Sequence, residues 1–156
     1  MRLPEVPGRR SAGPFLPDLL ARAAHVMERG FAEELRTRGT SLPVWRVMAA
    51  LSACPGETVT GLAEACLSQQ PTMTKLLDRM VRDGLVARMP DARDRRVVRV
   101  ALTPDGAAKA DELLEAAARY EAGVLALHPR AEGIKATLAD MVARPGPAEP
   151  DDRSHA

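Results

Sequence analysis

The chain has 156 residues, 46% of them hydrophobic, enough for one domain with its own core and too few for two of ordinary size. A formal net charge of +1 excludes a uniformly basic clamp or an acidic decoy, and two cysteines separated by eleven residues, with no CxxC, support neither a disulfide scaffold nor a zinc site. No uncharged apolar stretch approaches the roughly 18 residues that span a bilayer, and "MRLPEVPGRRSAGPF" lacks the apolar centre of a secretion signal, so a cytoplasmic protein is expected.

Residues 1–14, with three prolines and two glycines, read as a flexible arm. From Phe15 the apolar residues Leu16, Leu19, Leu20, Ala23, Val26, Met27, Phe31 and Leu35 recur three or four apart, which predicts a helix over 15–40 closed by Gly39. Ser41 suits the cap of the next helix, "LPVWRVMAALSAC", dense enough in apolar residues to be largely buried. "PGE" at 55–57 is a turn. Val59 then falls in a very short extended piece, and Thr60 caps a brief helix to about residue 67. Pro71 keeps Gln70 out of helical geometry and itself suits the first helical position. A second helix over 71–83 follows, with Gly84 beyond its end. Two short helices in tight succession make a helix-turn-helix.

"LVARM" and "VVRVALT" predict two strands, the second with Val98, Val100 and Leu102 on one face. Between them, "PDARDRR" is the loop of a β-hairpin. Thr103 and Pro104 are a cap and a first helical residue, and Asp105 suits the positive end of the helix dipole. The helix to about residue 127 would be about 37 Å long, with Ala107, Ala110, Leu113, Leu114, Ala117, Val124 and Leu127 as its apolar stripe. Pro129 breaks it, a last helix carries Ile134, Leu138 and Met141, and residues 145–156 have the composition of a disordered tail. The expected fold is mainly α with a small β-hairpin wing (α+β). A winged helix-turn-helix lobe at 41–102 is flanked by an N-terminal helix (15–40) and C-terminal helices (103–144). The long helix exceeds what a compact monomer can cover, so the flanking helices are expected to form a homodimer.

Charge is concentrated. Between 69 and 99 eight lysines and arginines stand against four aspartates, a net of +4, leaving −3 for the remainder of the chain. A basic segment in a mildly acidic protein points to a localised anionic partner.

In order along about residues 41–110, four segments resemble the MarR family of transcriptional regulators: "SLPVWRVMAAL", "VTGLAEACLSQQPTMTKLLDRMVRDGLVAR", the wing signature Asp91-x-Arg93-Asp94-x-Arg96, and "VALTPDGAA". The resemblance implies a dimer on a pseudo-palindromic double-stranded operator, usually a repressor. It also implies release by a small, often aromatic, anion bound between the dimerisation helices and the DNA-binding lobe. It assigns recognition-helix contacts to Gln70, Pro71, Thr72, Thr74 and Lys75, and wing contacts to Arg93, Arg95 and Arg96. Where many relatives carry Asp or Ser and a basic residue, this chain has Gln69 and Gln70. Glutamine can pair with adenine where arginine prefers guanine, so a different operator is expected.

A recognition helix lies in the major groove, where Thr72 can touch a thymine methyl or phosphate and Lys75 a phosphate or guanine. Met73, Leu76, Leu77 and Met80 are core, and Arg79 meets either a phosphate or an acid. Wing arginines can enter an electronegative A/T minor groove. Asp91 shapes the tip, and Asp94 is expected to hold Arg96 or Arg93 as a strut. Trp45 is read as core with the effector cleft as its alternative. Arg46 and His25 are candidates for an anionic effector, although His25 equally suits a surface. Cys54 and Cys66 each sit in a largely apolar helix, where inert packing competes with oxidant sensing. A winged-helix protein-interaction module and a cysteine-based sensor are the alternative functions. Single-stranded nucleic acid is disfavoured because the basic segment has no aromatic residue. No nucleophile elbow, phosphate-cradling glycine loop or metal-ligand cluster suggests an enzyme, a cofactor or a metal.

Overall fold

The computed structural model describes residues 15–128 and 130–144. The expectations for the 1–14 arm, the Pro129 break and the 145–156 tail lie outside them. The elements are α1 (Leu16–Thr37), α2 (Leu42–Ala53), β1 (Glu57–Thr58), α3 (Val59–Ala65), α4 (Gln70–Arg82), β2 (Val86–Pro90), β3 (Val98–Leu102), α5 (Pro104–Leu127) and α6 (Ala131–Ala143). Two compact units divide the chain, one ending at Leu114 and the other beginning at Glu115.

The first unit runs from α1 into the first turns of α5. Its core is built from helix faces spaced three and four apart: Leu35 of α1, Val47, Met48 and Leu51 of α2, Leu62 of α3, and Met73, Leu77 and Met80 of α4. Val100 of β3 and Leu113 of α5 are fully buried with them. Only the C-terminal end of the apolar face of α1 is buried, at Phe31 and Leu35, whereas Leu16, Leu19, Val26 and Met27 are exposed. Ser41 occupies the cap position of α2, but its hydroxyl makes no capping bond; the helix opens on the Trp45 N–H to Ser41 carbonyl bond of 2.9 Å.

Four boundaries differ from expectation around the helix-turn-helix. The extended piece is Glu57–Thr58, not Val59, and the cap of α3 is Thr58, not Thr60: the Thr58 hydroxyl accepts the Gly61 N–H at 3.0 Å. Strand pairing with β3, Glu57 opposite Val100 and Thr58 opposite Arg99, fixes this register, and a distant partner is invisible in local pattern. The helix also ends at Ala65, before the left-handed Leu67 (φ 51°). In α4, Gln70 rather than Pro71 is the first helical residue; a proline disfavours α geometry in the residue before it without forbidding it. Gly84, at φ 72°, supplies the left-handed exit, as expected.

The hairpin is part of a three-stranded antiparallel sheet ordered β1-β3-β2. Arg88 lies opposite Val100, and Pro90 opposite Val98. Of the expected apolar face Val100 is buried, Leu102 half-buried and Val98 exposed. The Thr103 hydroxyl accepts the Gly106 N–H at 3.0 Å, confirming it as the cap that starts α5.

The second unit holds the remainder of α5 and α6. Lys135 pairs with Glu121 at 2.7 Å, and Leu127, Ile134, Met141 and Val142 are exposed. None of the described helices is long and apolar enough to cross a membrane.

Candidate nucleic-acid interface

The faces of α4 are cleanly divided. Met73, Leu77 and Met80 are buried and Leu76 half-buried, as expected of core, while Gln70, Pro71, Thr72, Thr74, Lys75 and Arg79 are all exposed. This amphipathic division holds one face against the core and turns the other to solvent. The Gln70 side-chain amide donates to the Thr60 hydroxyl at 3.3 Å, tying the start of α4 to the preceding helix. The Thr74 hydroxyl donates to the Gln70 carbonyl at 3.0 Å. Thr72, Lys75 and Arg79 make no side-chain hydrogen bond or ion pair among the described residues. Arg79 therefore has no acid partner there.

At the wing, Asp91 organises the tip. Its Oδ1 accepts the backbone N–H groups of Arg93 (2.7 Å) and Asp94 (3.0 Å), and its Oδ2 accepts the Arg99 Nε–H. The Arg99 guanidinium, then the two backbone N–H groups, hold the Asp91 carboxyl down at about 2, so it is ionised throughout the neutral range. Asp94 does not act as the expected strut on Arg96 or Arg93. Its Oδ1 instead accepts the Arg96 backbone N–H at 2.9 Å, closing a second local turn. A short aspartate reaches an N–H two residues on more easily than a guanidinium swinging at an exposed tip. Arg93, Arg95 and Arg96 are exposed and carry no side-chain hydrogen bond or ion pair among the described residues.

Two arginines counted only as charge in the sequence have structural partners. Arg88 of β2 pairs with Asp78 of α4 at 2.6 Å and reaches the Thr74 carbonyl at 3.4 Å, linking strand to helix. Arg99 bridges Asp91 and the Gly56 carbonyl, the latter at 2.8 Å. Strand alternation puts such residues on a face; it does not say which partner stands opposite.

The effector candidates are dispersed in chemistry. Trp45 is half-buried and packs edge-on against Phe31, with ring centroids 5.4 Å apart and planes at 78°, in line with a packing role. Arg46 is paired with Glu28 of α1, so an anion would have to displace a carboxylate. His25 is exposed and makes no hydrogen bond or ion pair among the described residues. An open cavity of about 320 Å³, lined among others by Leu51, Leu102 and Asp111, includes none of the three.

The cysteines lie at helix ends rather than within helices, Cys54 exposed after α2 and Cys66 buried after α3. Burial pushes the Cys66 thiol above its ordinary value, an effect the Arg46 charge offsets in part, so at neutral pH it stays protonated and a poor nucleophile. Iodoacetamide at pH 7.5 should accordingly alkylate Cys54 and spare Cys66 until the protein unfolds. Peptide mass spectrometry reads the order, and early labelling of Cys66 would contradict it. Among the described residues no cluster of three or more potential metal ligands is present.

The profile of the MarR family matches residues 41–98, from the start of α2 to the first residue of β3. A solved MarR family transcriptional regulator from Silicibacter pomeroyi is 35% identical, with a TM-score of 0.72 over 83% of this chain and 96% of that one. The chain belongs to the MarR family. Among curated relatives, the transcriptional activatory protein BadR of Rhodopseudomonas palustris is 33% identical over 56% of this chain and 51% of its own length. The homoprotocatechuate degradative operon repressor of Escherichia coli is 36% identical over 41% of this chain and 43% of its own. The chain thus spans about half the length of these curated relatives. The family match covers α2 through the first residue of β3, and the sequence-based fold class agrees with the solved relative.

Proposed function

We propose that this MarR-family chain is a homodimeric, sequence-specific regulator of transcription that binds double-stranded DNA in the cytoplasm and has no enzymatic activity. The exposed face of α4 enters the major groove. Gln70 addresses an adenine edge, Thr72 a thymine methyl or phosphate, Lys75 a guanine or phosphate, and Arg79 a phosphate; Pro71 and Thr74 line the same surface. Arg93, Arg95 and Arg96 enter the flanking minor groove. The exposed apolar residues of α1, and separately those of α6, support the dimer, and a two-fold protein reads half-sites about one DNA turn apart. Repression is the mode we assign, with release by a small aromatic or otherwise anionic effector for which His25, Trp45 and Arg46 are the candidate contacts.

The observation that carries this reading is the trio of wing arginines, exposed and without side-chain partners among the described residues, at the tip of a hairpin whose neighbouring helix presents a polar face. Charges kept free at one tip suit a partner that brings its own anions. The test is selection of duplexes from a random pool, titration of the winners at several salt concentrations, and a screen of aromatic acids for release. A pseudo-palindromic winner with steep salt dependence is expected. Absence of duplex binding below about 100 mM salt would replace the reading with a protein-interaction module.

A further inference from the structure

Arg99 differs from the other wing arginines. Its side chain connects three segments: it lies on β3, its Nε–H goes to Asp91 in the wing loop, and its Nη1–H goes to the carbonyl of Gly56 in the turn before β1. Gly56 is in the left-handed region at φ 78°, and its successors Glu57 and Thr58 form β1, with Thr58 capping the first helix of the helix-turn-helix. Asp91 in turn holds the backbone N–H groups of Arg93 and Asp94. One guanidinium therefore connects the corner that opens the helix-turn-helix to the loop that carries Arg93, Arg95 and Arg96.

We propose that Arg99 is a positioning residue for DNA binding, a clasp between Asp91 and Gly56 that fixes the wing tip so that Arg93, Arg95 and Arg96 are presented together. The inference rests on the DNA-binding reading above. Its chemistry requires arginine: the Nε–H and Nη1–H point in diverging directions and reach two acceptors at once, whereas the single ammonium of lysine is a point charge that cannot hold the same fork. Asp91 already neutralises Arg99, and only 12% of the Asp91 side chain is exposed, so this pair is spent on geometry while the other three charges remain available. Ordering the tip before binding reduces the entropy that its flexible side chains lose at the interface.

The full-length chain and its R99A and R99K variants are compared first without DNA, by amide hydrogen exchange. Exchange across residues 91–97 should quicken in R99A, remain mostly fast in R99K, and be unchanged in α4. Duplex affinity is then measured for R99A alone and for R99A added to the R93A/R95A/R96A variant, at salt low enough for the latter still to bind. R99A alone is expected to weaken binding about tenfold, and to add almost nothing once the three arginines are gone. An equal loss in both backgrounds, with the salt slope flattened by about one unit, would make Arg99 a phosphate contact and overturn the proposal. Unaltered exchange at 91–97 would overturn it regardless of DNA. A parent protein that binds no duplex would refute the functional reading, while the exchange measurement would still decide whether Arg99 holds the tip.

Discussion

Changing Arg93, Arg95 and Arg96 together to alanine is expected to lower operator affinity by on the order of 100-fold or more near 0.15 M salt, and to flatten the salt dependence by about two to three units. The melting temperature should barely move. These side chains are exposed and make no hydrogen bond or ion pair among the described residues, so their removal takes nothing measurable from the folded chain. On the proposed reading the same guanidiniums would replace condensed counterions in a narrow minor groove, and such release gives protein–DNA binding its dependence on salt. Lys75→Ala serves as the comparison on α4, with a loss of about one unit of slope if its contact is a phosphate and a change in base preference if it is a guanine. Fluorescence anisotropy at four or more salt concentrations separates affinity from slope. If the triple variant binds its operator as tightly as the parent, the wing is not a DNA-binding element.

What could be read from the sequence, and what could not, follows a physical division. Periodicity and punctuation are local, so the helices, the hairpin and the caps at Thr103 and Gly84 were legible: a 3.6-residue pattern, an alternation and a glycine each act within a few residues. The family motif around Asp91 was legible as a string, and the free arginines in it stood out by density. Partner choice was not. Asp94 takes a backbone N–H rather than a guanidinium, and the carboxylate that does bind one, Asp91, reaches eight residues ahead to Arg99. The cap of α3 shifted to Thr58 because β1 pairs with a strand some forty residues later in the chain. Cys66 sits in a local sequence like that of Cys54, yet one thiol is buried and the other exposed. Contacts across the fold are set by packing, and the pattern of one segment does not contain them.

The same limit applies to Gly106, which the sequence presents only as part of "LTPDG" and which the fold makes irreplaceable. A Cβ at this position would lie 1.8 Å from the Leu85 carbonyl oxygen, far inside contact distance and against backbone rather than a yielding side chain. That carbonyl is already engaged, accepting the Thr103 N–H at 3.1 Å, while the Thr103 hydroxyl donates to the Gly84 carbonyl at 2.5 Å. The first turn of α5 is therefore pinned on the segment that leaves α4 and enters β2, and only a glycine allows the approach. Gly106→Ala must either turn the Leu85 peptide away from Thr103 or lift the start of α5. Overpacking costs about 1–3 kcal/mol and an orphaned backbone group about as much again. Alanine's better helix propensity returns only about 1 kcal/mol, so a net loss of about 1–5 kcal/mol is expected. Gly123, in the same helix, is the internal control: nothing lies within 4 Å of its hypothetical Cβ among the described residues, so Gly123→Ala should stabilise by about 0.5–1 kcal/mol. Urea unfolding at one fixed protein concentration compares the two, and opposite signs are required. A Gly106→Ala chain as stable as the parent would mean that α5 does not rest on Leu85. On the proposed reading the loss should also reach DNA binding, because Gly84 and Leu85 connect α4 to the wing, and displacing them would separate the two surfaces proposed to meet adjacent grooves.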